Sequence, residues 1–378
     1  MTPGAVRLAR GTVAALAALG AFSVVAAGTP PAIAAGGYGT RTVVDGLANA
    51  AAFTFAPDGR IFAAERLTGD IEVINPATGA RHTFATVRNV VGDKDNELGL
   101  DGIELHPDFP DKPYVYAYAT VDVSGETRIR ILRYTASERG GRGIGVDRRV
   151  IYESRTVAGP QHVGGRMLFG RDGYLYVIIG DGGTASTAQD RSIERGKLLR
   201  MTAGGAPVPS NPFGTRVWSY GHRNSFGFDF DPATGTIWET ENGPECNDEL
   251  NRIVPGGNYA WGPHETCSTP PRPPVNTNQD GPAPRRLPEL WYGSTIGPTG
   301  IAFCRRCGLG RRAAGAAFFG SFNQGTITRV TLTDDRRAVA ASRVVLVHAP
   351  RVLSIETDPS GRLYFSDGGS ILRIIRSG

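Results

Sequence analysis

Beyond residue 35, the hydrophobic and polar positions of the chain repeat one short pattern. A turn rich in Pro, Asp and Gly is followed each time by a strand of continuous or alternating apolar residues. Gly and Asp favour tight turns, and β-branched or aromatic residues fill pleated strands. Six copies occur, the fifth in degenerate form, and they lie at residues 56–65, 110–118, 171–178, 231–240, 311–319 and 358–366.

The spacing of these turns predicts a repeat architecture. With Asp58, Lys112, Asp172 and Ala233 as markers, successive turns lie 54, 60 and 61 residues apart, and the next two gaps are about 80 and about 45. Six such units favour an all-β fold, a six-bladed β-propeller of four-stranded antiparallel sheets. Blades that pack face to face bury both sides of their strands, which accounts for the apolar runs.

We therefore expect residues 36–378 to form a single propeller. A stretch at about 263–288 breaks the pattern, because it is rich in Pro, Asn, Thr and Gly and poor in apolar residues. We interpret it as a long loop tied near its base by Cys267, in a position to cover one mouth of the propeller.

The first 35 residues have a different character. Arg7 and Arg10 precede an apolar run at residues 12–27, and Ala32 to Ala34 supply a small-x-small pattern. These features predict a secretory signal peptide cut near Ala34 or Ala35, and hence a secreted protein with no stable membrane insertion after cleavage. The alternative is an N-terminal membrane anchor, for which the apolar run is short.

Composition and charge narrow the functional classes. A hydrophobic content of 40% supports a sizeable core and argues against a disordered chain. Removal of Arg7 and Arg10 lowers the formal charge from +5 to +3, and no Lys/Arg cluster is interleaved with aromatic residues. The sequence therefore gives little support to nucleic-acid binding.

Four cysteines, an even number in a protein predicted to be secreted, suggest disulfides. Three pairings are possible, and local closure favours Cys246–Cys267 with Cys304–Cys307. A four-thiolate zinc site is the alternative, although the chain contains only one CxxC pair.

Polar loops beside the predicted strands carry the candidate chemistry. His162 lies in a glycine-rich loop before one strand, and Asp181 follows the next strand, so both belong to the same end of a strand pair. A histidine there can move a proton near neutral pH. Arg223 and Asn224 offer a cation and an amide, and the acidic turn at 241–249 offers oxygen ligands of the kind that calcium prefers.

Several longer motifs resemble the soluble, pyrroloquinoline-quinone (PQQ)-dependent aldose sugar dehydrogenases, the glucose/sorbosone dehydrogenase family. They follow the family's order from about residue 40 to the end and occupy residues 99–109, 162–170, 196–200, 220–224, 248–251 and 255–261. The resemblance implies the same six-bladed propeller, a small-molecule sugar substrate and an external electron acceptor.

The resemblance also implies roles for individual residues. His162 matches the general base that takes the C1 hydroxyl proton of the sugar, and Asp181 matches the carboxylate that holds this histidine. Arg223 matches the cation that stabilises developing charge near PQQ. Further cofactor-lining positions match Glu97, Gln161, Asn224 and Arg351.

Calcium is implied at two places. The carbonyls of Gly243 and Pro244 match the ligands of the Ca²⁺ that polarises the quinone. A second Ca²⁺ of some members matches the Glu249 side chain and the Tyr259 carbonyl.

Two positions depart from the family pattern. Leu353 replaces the second of two cofactor-facing arginines, and Asn323 replaces a lysine that contacts the cofactor. The quinone carries three carboxylates, so the loss of two cations weakens its anion site. Glu97 also stands where glucose-oxidising members have glutamine.

Three functions follow as hypotheses. The first is a secreted PQQ- and calcium-dependent dehydrogenase that oxidises the C1 hydroxyl of aldoses to the lactone. The second is a non-catalytic propeller that binds an extracellular glycan or protein, which Asn323 and Leu353 favour. The third is a calcium-dependent hydrolase or lactonase, which would need paired carboxylates and an Asn around one metal. Fold alone does not decide among them.

Overall fold

Six four-stranded antiparallel sheets form the structure, which confirms the predicted six-bladed propeller. The computed structural model describes residues 37–92, 94–138, 143–264, 267, 279–348 and 351–377. The signal-peptide prediction for residues 1–35 and half of the proline-rich stretch, residues 265–266 and 268–278, lie outside the described residues.

Each of the first three blades is built from four consecutive strands. The first blade contains β2 (Ala50–Phe55), β3 (Ile61–Glu65), β4 (Asp70–Ile74) and β5 (Arg81–Thr86). The second contains β6 (Leu100–Leu105), β7 (Tyr114–Val123), β8 (Glu126–Ser137) and β9 (Ile144–Glu153). The third contains β10 (Met167–Phe169), β11 (Leu175–Ile179), β12 (Lys197–Met201) and β13 (Val217–Tyr220), with a short 3₁₀ helix (Ala185–Ala188) after β11.

The remaining blades include the one that closes the ring. The fourth contains β14 (Asn224–Phe230), β15 (Ile237–Asn242), β16 (Asp248–Ile253) and β17 (Leu290–Tyr292). The fifth contains β18 (Pro298–Phe303), β19 (Ala317–Ser321), β20 (Thr326–Leu332) and β21 (Val339–Val347). The sixth contains β22 (Ser354–Thr357), β23 (Leu363–Ser366) and β24 (Ile371–Arg376), completed by the first strand of the chain, β1 (Tyr38–Val44).

All six repeated turns occupy the same place in their blades, between the first and the second strand. This includes the degenerate copy, which lies between β18 and β19. Because these turns share one end of the propeller, the segments that enter the first strands and leave the second strands share the other end. The His162 and Asp181 loops lie at that other end.

The apolar core is divided into six wedges, one between each pair of neighbouring blades. Inner strands such as β3, β11 and β19 are buried along their whole length, whereas the outer strands β9 and β21 are largely exposed. Burial on both faces explains why the inner strands are apolar runs rather than strict alternations.

Both favoured disulfides are present, Cys246–Cys267 and Cys304–Cys307, so the zinc alternative is excluded for these cysteines. The first links the acidic turn after β15 to the proline-rich stretch. The second lies in the segment between β18 and β19. Across the described residues, no helix has the length and apolar character needed to span a membrane.

Candidate active site

A cavity of about 550 Å³ opens at the end of the propeller opposite the repeated turns. Its walls come from segments that enter the first strands of blades and from segments that leave the second strands. The volume falls in the range of about 300–1,000 Å³ that is usual for small-molecule sites. Predicted positions that line this cavity are Glu97, Gln161, His162, Arg223, Asn224, Gly243, Pro244 and Arg351.

His162 is held by its backbone as well as by its ring. Its φ of +56° lies in the left-handed region, which is strained for a residue other than glycine. Its N–H donates to Glu97 Oε2 at 2.6 Å, and its carbonyl accepts the N–H of Gly182 at 3.1 Å. Glu97 therefore fixes the loop that presents the histidine, a role that its sequence position did not suggest.

Asp181 lies behind His162, outside the cavity lining and 1% exposed. Its Oδ1 is 2.6 Å from His162 Nδ1, and its Oδ2 accepts the indole N–H of Trp261 at 2.8 Å. The N–H of Gly183 also donates to Oδ1 at 2.8 Å. With Nδ1 engaged by the carboxylate, Nε2 is the ring nitrogen left for a ligand in the cavity.

Arg223 enters the cavity from the third-to-fourth blade connection. Its backbone N–H donates to Glu241 Oε1 at 2.5 Å, and its Nη1 donates to the carbonyl of Asn242 at 3.0 Å. The guanidinium lies over the Trp261 ring, 5.2 Å from its centre. Its Nε is buried and has no partner within the described residues, so a donor remains to be satisfied there.

The Gly243–Pro244 turn is fixed by Asp248. One carboxylate oxygen of Asp248 accepts the N–H of Gly243 at 2.8 Å, and the other accepts the N–H groups of Ile296 and Gly297. A Cβ on Gly243 would lie 1.9 Å from the carbonyl oxygen of Cys246, so only glycine fits. In the described part of the chain, neither the Gly243 nor the Pro244 carbonyl accepts a hydrogen bond, which leaves both free for a cation.

Glu249 and Tyr259 do not line the cavity. Glu249 faces a fully buried polar cluster between the third and fourth blades, in which Asn251 Nδ2 lies 3.2 Å from Glu249 Oε2 and 3.4 Å from Glu241 Oε2. The ring of Tyr259 stacks on His222, with centroids 4.7 Å apart.

Sequence reasoning included Glu241 in the acidic turn but missed two other members of this cluster, His222 and Glu239. His222, Glu239 and Glu241 bring ligand atoms within 4.8 Å of one another, an arrangement that could hold a metal ion. Burial alone would lower the pKa of His222, but the two carboxylates outweigh it and raise that pKa to about 9. The Glu239-x-Glu241 spacing on a strand, which puts both carboxylates on one face, was the available signal.

The opposite side of the cavity is less polar. Arg351 packs over the Phe322 ring at 5.3 Å, and its buried Nε has no partner among the described residues. Asn323 donates to the Thr295 carbonyl at 3.2 Å, and Leu353 lies beside it in the lining. The two departures from the family pattern therefore face the same space as His162.

Asp101, Arg66 and Arg166 also line the cavity and were not predicted. Asp101 Oδ2 is buried without a hydrogen-bond partner in the described structure, while Arg66 donates to the Asn96 and Leu98 carbonyls. Burial raises the pKa of Asp101 well above its usual range, although nearby Arg66 opposes this. A carboxyl group within a largely buried strand was the sequence signal for this residue.

Comparison with known proteins identifies the family. The profile of the Glucose / Sorbosone dehydrogenase family matches residues 47–376. The chain belongs to this family. The resemblance predicted from the motifs is thereby confirmed.

Two bacterial dehydrogenases resemble the chain at moderate identity. It is 30% identical over 255 residues to quinoprotein glucose dehydrogenase B of Acinetobacter calcoaceticus, which covers 59% of this chain and 52% of that protein. It is 32% identical over 170 residues to aldose sugar dehydrogenase YliI of Escherichia coli, which covers 43% and 46%. These matches span about half the length of each relative.

Among solved structures, the PQQ-bound aldose sugar dehydrogenase of Streptomyces coelicolor superposes with a TM-score of 0.75 at 28% identity. The match covers 92% of this chain and 100% of that one. The likeness extends over the whole propeller.

Proposed function

We propose that this protein is a secreted dehydrogenase that oxidises the C1 hydroxyl of an aldose to the lactone, with PQQ as hydride acceptor and Ca²⁺ as its partner. The observation that carries the proposal is the chain of contacts from Trp261 through Asp181 to His162 at the edge of the 550 Å³ cavity, with Arg223 beside it. The quinone assignment draws support from the PQQ-bound relative of Streptomyces coelicolor.

His162 acts as the general base in this proposal. Asp181 accepts a hydrogen bond from Nδ1–H, which selects the neutral tautomer whose lone pair is on Nε2, the nitrogen directed toward the cavity. Nε2 takes the proton of the sugar's C1 hydroxyl as the C1–H bond breaks and the C1–O double bond forms. The Arg223 guanidinium stabilises the negative charge that develops nearby, in a setting where burial strengthens its effect.

The residues of the cavity fit the cofactor. Arg223 Nε, Arg351 Nε and Asn224 Oδ1 are buried polar atoms that lack partners within the described residues, as expected where a polar ligand completes the site. Gln161, Asn224, Glu97 and Arg351 would hold the quinone, and the Gly243 and Pro244 carbonyls would hold Ca²⁺. When bound, the quinone supplies a two-electron acceptor for the C1 hydride and Ca²⁺ supplies a Lewis acid.

We assign a structural role to the second cation. Glu249 and the Tyr259 carbonyl would ligate it, and the neighbouring carboxylates of Glu239 and Glu241 add negative charge. His222 and Glu239 are each 0% exposed, so no substrate can reach this cluster. That burial argues against hydrolysis at this second cation, because a catalytic metal must be accessible to substrate.

The test is calorimetric titration of PQQ into calcium-loaded protein, followed by assay against a panel of aldoses with a dye as external electron acceptor. We expect saturable quinone binding and dye reduction with at least one aldose. Absence of both binding and turnover would remove the proposal.

A non-catalytic propeller is the second candidate, and Leu353 and Asn323 in the cavity lining favour it. Both residues withhold positive charge from a ligand with three carboxylates. Retention of a neutral glycan on an array, together with no quinone binding in the same titration, would select this function instead.

Secretion rests on the N-terminal pattern of residues 1–35. Expression of the full chain in a bacterial host, followed by fractionation, tests it. We expect the protein outside the cytoplasm with an N-terminus near Gly36, whereas an uncleaved cytoplasmic product would contradict export.

A further inference from the structure

A second cavity, of about 320 Å³, lies between the fifth and sixth blades. Strands β20 and β21 line one side, β1 and β24 line the other, and the segment between β18 and β19 closes one end. That segment contains one of the six repeated turns, so this cavity lies at the opposite end of the propeller from the active site. Five arginines line it: Arg311, Arg312, Arg329, Arg343 and Arg376.

No acidic side chain among the described residues compensates the charge of these arginines. None of the described residues that line the cavity is acidic. Within the described part of the chain, none of the five forms a salt bridge or a side-chain hydrogen bond, and Arg329 Nε is buried without a partner. By contrast, two arginines of the same region of the sequence do form salt bridges. Arg336 Nε lies 2.6 Å from Asp231 Oδ2, and Arg362 Nε lies 2.6 Å from Asp358 Oδ2.

The strand register concentrates this charge. Arg329 and Arg343 stand directly opposite each other on β20 and β21. Side chains in such a pair project from the same face of the sheet, and like charges placed this way destabilise it. No acidic side chain among the described residues relieves this repulsion, so an anion bound between the guanidinium groups would stabilise the fold.

The surrounding structure is fixed rather than loose. Tyr38 of β1 packs against Phe318 of β19, with ring centroids 6.3 Å apart, and so joins the two blades beside the cavity. The segment that presents Arg311 and Arg312 is tied by the Cys304–Cys307 disulfide, and its Leu309 is buried in the core between the blades. The guanidinium groups are therefore presented by a pre-organised frame.

We propose that this cavity binds a compact multivalent anion that carries phosphate groups. Guanidinium groups pair with phosphate oxygens in two-point fashion, and several negative charges in a small volume match five arginines around about 320 Å³. The site is separate from the active-site cavity, and its ligand acts on the stability of the fold.

Inorganic tripolyphosphate is the probe. Calorimetric titration at low ionic strength should give one saturable site whose affinity falls steeply as salt is added, because exposed charges are screened. Citrate is the comparison ligand that carries carboxylates instead of phosphates. A short DNA duplex is the comparison ligand that carries phosphates along a polymer. Tighter binding of citrate would overturn the phosphate assignment, and tighter binding of DNA would overturn the compact ligand.

Two variants test the location. Arg311→Gln with Arg312→Gln changes only exposed residues and should weaken tripolyphosphate binding at least tenfold. Arg343→Gln should do the same and, without ligand at low salt, should raise Tm by about 1 to 3 °C because it removes one of two facing cations.

The matched control is Arg149→Gln. Arg149 also stands opposite an arginine, Arg133, on β9 and β8, but Arg133 packs over the Tyr114 ring at 4.2 Å. This control should keep full tripolyphosphate affinity. Equal loss in the control, or no binding by the unaltered protein, would show that the five arginines are merely solvated.

Discussion

Two sides of the active-site cavity differ in how fully the protein satisfies its own polar groups. On the first side, which we call the base wall, His162, Asp181, Trp261 and Arg223 are joined by hydrogen bonds of 2.5–3.0 Å to one another or to neighbouring carboxylates and carbonyls. On the second, the cradle wall, Arg351 packs on Phe322 and lies near Asn323 and Leu353. The base wall is largely hydrogen-bonded within the protein, although Arg223 Nε lacks a partner among the described residues, and the cradle wall offers little beyond one cation.

Because of this difference, we expect the two walls to control different quantities, kcat and the affinity for the quinone. The base wall is pre-organised, so its groups do not have to reorganise when substrate arrives. The cradle wall contributes one guanidinium group, whereas additional positive charge would strengthen the binding of a cofactor with three carboxylates. Changes in the base wall should therefore lower kcat, and changes in the cradle wall should shift the dissociation constant of the quinone.

The largest effect should come from His162→Ala. Loss of the general base should lower kcat about 10³-fold. Quinone affinity should change little, because the imidazole of His162 belongs to the base wall, and the binding of the quinone is assigned mainly to the cradle wall. Steady-state assay with the dye acceptor and calorimetric titration measure the two quantities, and circular dichroism controls for folding. A variant that retains normal turnover would remove His162 from this role.

Asp181→Asn should have the next largest effect, a fall in kcat of about 10²-fold. The amide can no longer hold Nδ1–H as a carboxylate does, so the imidazole loses its orientation and part of its basicity. The pH–rate profile should move as well, which a purely structural defect would not cause. Asp181→Glu is the conservative comparison and should recover part of the rate; equal loss with an unchanged profile would contradict the role.

Leu353→Arg should strengthen the cradle wall. A second guanidinium facing the cavity should tighten quinone binding about tenfold through a charge-assisted hydrogen bond. Calorimetry or the absorbance change on binding measures this without reliance on turnover. Leu353→Met keeps the apolar character and should leave affinity unaltered. If Arg and Met behave alike, the missing cation does not limit binding.

The smallest effect should come from substitution of Glu104, a buried carboxyl group that interacts with Arg166 of the cavity lining. Burial raises the pKa of Glu104 to about 8 even though Arg166 opposes the shift. Because this value exceeds the pKa of 4.5 for an ordinary glutamate, the neutral form stabilises the fold at low pH, and that contribution is lost as pH rises from about 5 to about 8.

Glu104→Gln should remove this dependence. The difference in Tm, variant minus original protein, should become more positive by a few degrees as the pH rises from 5 to 8. Thermal unfolding at several pH values measures the difference. Parallel curves for the two proteins over this range would contradict a raised pKa.

Local patterns were sufficient to predict the fold. The turn-and-strand repeat has a short period, so the six blades and their equivalent turns could be counted along the chain. The disulfides could be predicted for the same reason, since both close local loops.

The contacts of the base wall could not be predicted in this way. Glu97 reaches the His162 N–H from 65 residues away, and Trp261 reaches Asp181 from 80 residues away. Such partners are set by how three different blades meet, and no pattern along the chain encodes that meeting. Asp101 and the Glu239-x-Glu241 pair did leave a signal, because charged residues within blade strands are costly to bury unless they have partners.

The pairing of β1 with β24 has a consequence for the order in which the molecule can assemble. Tyr38 and Arg376 are register partners, so the sixth blade unites the two extremes of the propeller. During synthesis from the N-terminus, five blades can form before β24 has emerged. Until then, β1 has no partner strand. Completion of the ring is therefore a late, long-range event with a high loop-closure cost. A truncation that removes β24 would leave an open edge available for aggregation.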